Sequence, residues 1–138
     1  MSGTDPRGVL DTSAVIDLAS LDPASLPDEP VITAITLAEL SVGPLVARTS
    51  EQRAARQAHL QQAEADFDPL PFDASAARSF GRIAASLRSA GRKPSARAYD
   101  ALIAATALAN GLPVYTANPA DFEAIEGLDL RVVERHLG

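Results

Sequence analysis

This sequence predicts an α/β fold, a central and mostly parallel sheet of about five strands flanked by helices, and three observations lead to it. Short apolar runs bounded by turn residues alternate with longer stretches of helical periodicity, the pattern of βα units around a parallel sheet. The 138 residues suit one ordinary domain, able to bury about two-thirds of its unfolded surface without a disulfide or a structural metal. No internal repeat, low-complexity tract or linker divides the chain, so residues 1–138 read as a single domain.

The elements follow in order. Gly8-Val9-Leu10-Asp11 is a first buried strand, after which Thr12 or Ser13 caps a short helix carrying Val15, Ile16 and Leu18. The stretch from Pro23 to Pro30 is a connecting loop, and Val31-Ile32-Thr33 a second strand. Helices are expected from about Thr36 to Val46 and from about Ser50 to Phe67, the latter rich in alanine, glutamine and arginine. Pro69 to Phe72 offers a short third strand. Asp73 caps a helix that Gly91-Arg92-Lys93-Pro94 stops. Another helix runs from about Ala96 to Asn110, with Ile103, Ala104, Ala107 and Leu108 at helical spacing and Gly111 as its terminator. Pro113 to Thr116 is a fourth strand, Asn118 caps a turn of helix, and Arg131 to Glu134 is a fifth strand.

Composition excludes several function classes. The chain has no cysteine, which removes disulfide scaffolds, zinc-thiolate sites, iron–sulfur clusters and thiol nucleophiles. The longest apolar run, Ala101 to Ala109, is about half of what a membrane-spanning helix needs. Asp5, Pro6 and Arg7 are followed by too short an apolar stretch for a signal peptide. A cytoplasmic protein with no membrane partner is expected. The net charge of −6, from 12 basic and 18 acidic residues, argues as a global number against a polyanionic partner.

In open α/β sheets ligands lie beyond the carboxyl ends of the strands, and acids recur there. Asp11 closes strand one, Glu39 opens the helix after strand two, Asp100 lies near the start of the helix before strand four, and Asp121 follows that strand. Two unit charges about 4 Å apart repel by about 4 kcal/mol at an effective dielectric of 20, so four converging carboxylates need a cation or a large pKa rise. Oxygen ligands alone favour a hard ion, Mg²⁺ or Mn²⁺. His59 and His136 are both away from these segments. Each acid also has a structural reading. Thr36-Leu37-Ala38-Glu39 is a capping box, and Asn118-Pro119-Ala120-Asp121 reads as cap, N1 proline and a dipole-favoured acid. Asp100 is within reach of Arg97. Asp11 is hardest to explain structurally, because a carboxylate straight after a buried strand is costly to desolvate.

With these residues in view the chain resembles the PIN-domain ribonucleases, and within them the VapC-like toxins of type II toxin–antitoxin pairs. The likeness rests on Val9-Leu10-Asp11-Thr12-Ser13-Ala14, on Thr33 through Leu40 (TAITLAEL), on Tyr99 through Ala105 (YDALIAA) and on Tyr115 through Phe122 (YTANPADF), in that order along nearly the whole chain. It implies a single PIN-like domain in which Asp11, Glu39 and Asp100 are the core metal-binding acids and Asp121 the fourth. Thr12, Ser13, Thr116 and Asn118 take the supporting polar positions. The implied activity is Mg²⁺- or Mn²⁺-dependent endoribonuclease action, the metal acidifying a water that Asp100 or Asp121 orients or deprotonates. The implied partners are RNA and a small VapB-like antitoxin, with homodimers inside a larger toxin–antitoxin hetero-oligomer. Apolar residues in Val15 to Leu21 and Leu37 to Val46 leave room for a groove receiving an antitoxin helix, with Leu40 or Leu45 as its test positions.

Charge returns locally. Between Ala74 and Tyr99 lie six basic residues, Arg78, Arg82, Arg88, Arg92, Lys93 and Arg97, and no acid, so that stretch is +6 and the remainder −12. Arg78, Arg82, Arg92 and Arg97 are the candidate RNA-backbone contacts. The same cations also suit a solvated helix face or an antitoxin-binding surface. Two tyrosines, four phenylalanines and no tryptophan argue against a stacking platform for bases. Other acidic-pocket folds fit less well. A haloacid-dehalogenase-like phosphatase needs a second aspartate where Ser13 stands, and a receiver domain needs a late strand-end lysine, whereas the sole lysine, Lys93, lies beside a helix stop. A catalytically idle PIN-like binding module is the remaining alternative, against which the retention of all four acids speaks.

Overall fold

A computed structural model describes residues 5–93 and 98–136. Four strands, β1 (Arg7–Leu10), β2 (Glu29–Val31), β3 (Val114–Thr116) and β4 (Leu130–Val132), form a sheet in the order β2-β1-β3-β4. Every pairing is parallel, with Val9 beside Val31 on one side and Val114 on the other. From β1 the chain passes to one neighbour through β2 and later to the other through β3, so the order reverses between β1 and β3. That boundary is the topological switch point where ligands of open α/β sheets bind.

Alternation along the strands builds a core on each face. Val9 and Val114 point into one cluster with Ile103, Ala104 and Phe122. Leu10 and Tyr115, one residue on, point into the other with Ala14, Ile32, Leu40 and Ala63. The Tyr115 ring crosses Gly8 so closely that a Cβ at residue 8 would collide with the ring and come within 2.8 Å of Pro27 Cβ, which makes glycine the residue that fits there.

The helices are α1 (Thr12–Ile16), α2 (Ala34–Leu45), α3 (Ser50–Asp66), α4 (Ala74–Ser89) and α5 (Ala98–Ala109). Helix α5 buries Ala101, Ile103, Ala104, Ala105, Thr106 and Ala107, and its small side chains let α4 pack close against it. Asp73 caps α4 as the sequence implies, its carboxylate accepting from the Ala76 amide at 2.9 Å.

Several local expectations are corrected. Asp11, rather than Thr12 or Ser13, caps α1, and Leu18 falls in a separate 3-10 turn, Leu18–Ser20. Strand two ends at Val31 because Thr33 is needed as the cap of α2, where its hydroxyl accepts from the Thr36 amide. Thr36 is therefore inside the helix and the Thr36/Glu39 capping box does not form. Pro69 to Phe72 contributes a single parallel bridge, Thr33 to Leu70, instead of a strand. Asn118 precedes the 3-10 turn Pro119–Asp121 without capping it through its side chain. The start of the helix expected from Ala96, and Arg97 with it, lie outside the described residues.

Candidate active site at the β1/β3 switch point

Asp11 follows β1 at the switch point and is 3% exposed. Its carboxylate is saturated with donors. Oδ1 accepts from the Ala14 amide and the Ser13 hydroxyl, each at 2.9 Å. Oδ2 accepts from Thr116 Oγ1 at 2.6 Å and from Ser13 at 3.1 Å. Thr116, fully buried at the end of β3, accepts in turn from the Asn118 amide at 2.9 Å. The backbone fixes the same junction, since the Asp11 amide donates to the Tyr115 carbonyl at 3.1 Å. The two strand ends are thus tied by main chain and side chain at one residue.

Glu39 sits on α2, one turn beyond Thr36, and freedom from a capping role lets it reach Thr12 instead. Thr12 Oγ1 donates to Glu39 Oε1 at 2.5 Å and lies 3.1 Å from Thr36 Oγ1. Burial pushes the Asp11 carboxyl above its ordinary pKa, against the hydrogen bonds from Thr116, Ala14 and Ser13, and the negative charge of Asp121 pushes it the same way. Burial likewise raises Glu39, opposed by the Thr12 hydroxyl and assisted by the charge of Asp11. Asp11, Glu39 and Asp121 therefore share one electrostatic field.

Asp121 ends the 3-10 turn after β3 and lines a cleft of about 340 Å³. Ala101, the residue after Asp100, lines the same cleft, and Asp100 itself is half-buried in the first turn of α5. Among the described residues, no three Asp, Glu or His side chains are gathered closely enough to hold a metal ion. The donor chemistry fits a hard cation, because carboxylate and hydroxyl oxygens are the groups on offer, with no thiol in the chain.

The basic stretch divides. Arg92 and Lys93 line the cleft that holds Asp121, whereas Arg82 lines a separate one with Ser79, Ser86 and Glu126 and donates to Ser79 Oγ at 3.0 Å. Arg78 and Arg88 are exposed on α4. Arg97 is outside the described residues.

One pair of residues escaped the sequence reading. Contrary to its placement away from the acidic segments, His59 lines a cleft of about 220 Å³ with Thr12, Glu39 and Arg56. Arg56 reaches across to donate to the Gly43 carbonyl at 3.1 Å. The spacing of Arg56, His59, Leu60 and Ala63 on α3 marks one helix face, and that pattern was the available signal. Of the two proposed groove positions, Leu40 belongs to the core at 6% exposure, while Leu45 is 84% exposed beside exposed Val42 and Val46.

The parallel sheet thus carries a buried aspartate at its switch point, with the charge of Asp121 acting on it from the turn after β3. Residues 8–128 match the PIN domain, and the chain belongs to the PIN-domain family. It is 45% identical over 130 residues to Ribonuclease VapC5 of Mycobacterium tuberculosis, covering 92% of this chain and 93% of that protein. It is 38% identical over 101 residues to Ribonuclease VapC8 of the same species, covering 72% of this chain and 89% of the relative. Among solved structures it matches that of VapBC-5 from M. tuberculosis, a member of the VapBC family of toxin–antitoxin systems. The TM-score is 0.80 at 42% identity, over 94% of this chain and 99% of that one.

Proposed function

We propose that the chain, over its whole length, is a metal-dependent endoribonuclease and the toxin of a VapBC-type toxin–antitoxin pair, acting in the cytoplasm. The observation that carries this reading is the Asp11–Thr116 junction at the switch point, with Glu39 and Asp121 in its field, in a chain 45% identical to a VapC ribonuclease. Among the described residues, no helix is long and apolar enough to cross a membrane.

Asp11, Glu39, Asp100 and Asp121 are the residues that would hold Mg²⁺ or Mn²⁺. When bound, the ion supplies an acidified water and screens the phosphate oxygens. The remaining work belongs to the protein. Thr116, Ser13 and the Ala14 amide hold Asp11 in one orientation, Thr12 holds Glu39, and Asn118 fixes Thr116 through its amide. Asp100 or Asp121 orients the water or takes its proton. The RNA backbone follows the basic stretch, with Arg92 in the cleft that Asp121 also lines, Arg82 and Arg78 earlier on α4, and Arg97 beside them in sequence. A small VapB-like antitoxin covers the exposed apolar side of α2, Val42, Leu45 and Val46, within a toxin–antitoxin assembly of homodimers.

The test is purified protein on total RNA with Mg²⁺, with EDTA, and as Asp11→Asn with Mg²⁺. Cleavage in the first arm, lost in the other two, is expected. Equal cleavage in all three would overturn the reading. No cleavage in any arm would favour an idle PIN-like binding module.

A further inference from the structure

We propose that Thr36 is a positioning residue for Glu39, its buried hydroxyl donating to Thr12 so that Thr12 gives its own proton to the Glu39 carboxylate. The proposal rests on the reading of Glu39 as a metal-holding acid and adds the residue that steadies it from behind.

A hydroxyl has one proton to donate and room to accept two. Thr12 Oγ1 stands 2.5 Å from Glu39 Oε1 and 3.1 Å from Thr36 Oγ1, and it cannot donate to both. An ionised carboxylate only accepts, so it takes the Thr12 proton, and the shorter contact is the one a charged acceptor makes. The bond to Thr36 is then donated by Thr36. That side chain is fully buried, so bulk water does not compete for its proton. Hydroxyls in series polarise one another, which strengthens the last bond of the chain, the one on Glu39.

The direction in which Thr36 points has a backbone cause. A hydroxyl inside a helix commonly turns back to the carbonyl four residues earlier, as Ser41 does to Leu37 at 2.7 Å and Thr106 to Leu102 at 3.0 Å. For Thr36 that carbonyl belongs to Ile32, and it is already engaged by the Leu70 amide at 2.9 Å. The Ala34 amide donates in turn to the Leu70 carbonyl at 2.8 Å, so Leu70 grips the start of α2 from both of its main-chain groups. Thr33 then caps the helix by accepting from the Thr36 amide at 3.3 Å. The lone bridge at Leu70 and the Thr33 cap thus set where Thr36 stands, with its hydroxyl turned to α1. Asp11 caps α1 and Thr12 is its first residue, so the same contact also sets Glu39 relative to Asp11.

The experiment compares wild type, Thr36→Val, Thr36→Ser and Thr36→Ala, with Thr12→Val and Thr12→Val/Thr36→Val completing a double-mutant cycle. Cleavage with Mg²⁺ is followed on an RNA that wild type cuts within total RNA, and Mn²⁺ affinity is measured by calorimetry with no RNA present. Thr36→Val should lower kcat about fivefold and weaken Mn²⁺ binding by about as much, the scale of one hydrogen bond, with KM for RNA within about twofold of wild type. Thr36→Ser should restore most of both. In the Thr12→Val background Thr36→Val should cost nothing further, because its effect passes through Thr12. Wild-type kcat and Mn²⁺ affinity in folded Thr36→Val, or an undiminished loss in the Thr12→Val background, overturns the relay and leaves the ribonuclease standing. Should valine prevent folding, seen as a lost melting transition in EDTA, Thr36→Ser against Thr36→Ala isolates the hydroxyl, and equal kcat and Mn²⁺ affinity in that pair overturn the relay. Failure of wild type to cut anything in total RNA overturns the ribonuclease reading and the role of Thr36 with it.

Discussion

Asp11 lies buried with both carboxylate oxygens occupied by Thr116, Ser13 and the Ala14 amide, whereas Arg92 stands in solvent at the end of α4 with its backbone amide anchored to Leu87. The acidic edge is held side chain by side chain, and the basic stretch is held by main chain. The difference follows from what each must do. A group proposed to hold a metal ion must be fixed to within a fraction of an ångström, and hydrogen-bonded neighbours provide that. A group that neutralises a phosphate along a flexible strand works as a charge and tolerates rotamer freedom. Substitutions at the two regions should accordingly fail in different ways, the first in turnover and the second in binding.

The largest effect is expected at Thr116, because its hydroxyl links β3 to Asp11 and also receives the Asn118 amide. Thr116→Val keeps the shape of a buried side chain and removes both hydrogen bonds. Single-turnover cleavage should fall about 10- to 100-fold, the range seen when the group orienting a metal ligand is lost, with KM nearly unchanged. Thr116→Ser should restore most of it. A rise in KM with kcat intact would erase the distinction drawn between the two regions.

Asp11 carries the second effect, in stability. Its folded pKa is raised by burial and by the Asp121 charge. The folded protein therefore holds the proton more tightly than the unfolded chain. The stability this gives is complete below the unfolded carboxyl range and is lost as the pH rises through the folded value. At neutral pH the ionised, buried group is a cost that Asp11→Asn removes. Without divalent cations, Asp11→Asn should melt a few degrees higher than wild type at pH 7, the shift that about 1 kcal/mol produces in a domain of this size. The gain should shrink as the pH is lowered through the carboxyl range. A variant less stable than wild type at pH 7 would mean that the carboxylate's hydrogen bonds outweigh its desolvation.

The same contrast explains which features were legible in the sequence. β1, β3 and α5 announce themselves because burial demands continuous apolar residues, and Asp11 stands out as a polar group at the end of such a run. The caps were less readable. Thr33, Thr36, Asn118 and Ser13 are all competent capping residues, and only tertiary geometry decides that Thr33 caps α2 while Thr12 is turned to Glu39. Pro69 to Phe72 has the composition of a strand, but a single bridge to Thr33 is all the pairing it finds. Arg56 and His59 were missed for another reason. Helix α3 is polar overall, so the spacing that marks its inward face is faint in the sequence, and it is the packing of α2 against it that brings Glu39 near. The misleading global charge of −6 has the same origin, since a sum over the chain carries no information about which charges share a surface.

The smallest effect is expected at Arg82, and it grades the basic stretch. Arg82 lies ten residues before Arg92, about two turns before the end of α4, and lines a cleft that none of the four candidate acids lines. Its guanidinium is already engaged with Ser79, and Glu126 lines the same cleft. A phosphate there gains less than one at Arg92, because Arg82 must give up part of an existing hydrogen-bonding arrangement to bind it. Arg82→Gln should weaken single-stranded RNA binding by about twofold to threefold, with the log–log salt slope shallower by at most about 0.7 and the cleavage pattern unchanged. Binding by Asp11→Asn protein across a salt series measures this without turnover. A loss at Arg82 as large as that at Arg92 would show that the strand is gripped evenly along α4, and a slope unaltered at both would return the arginines to a solvated face.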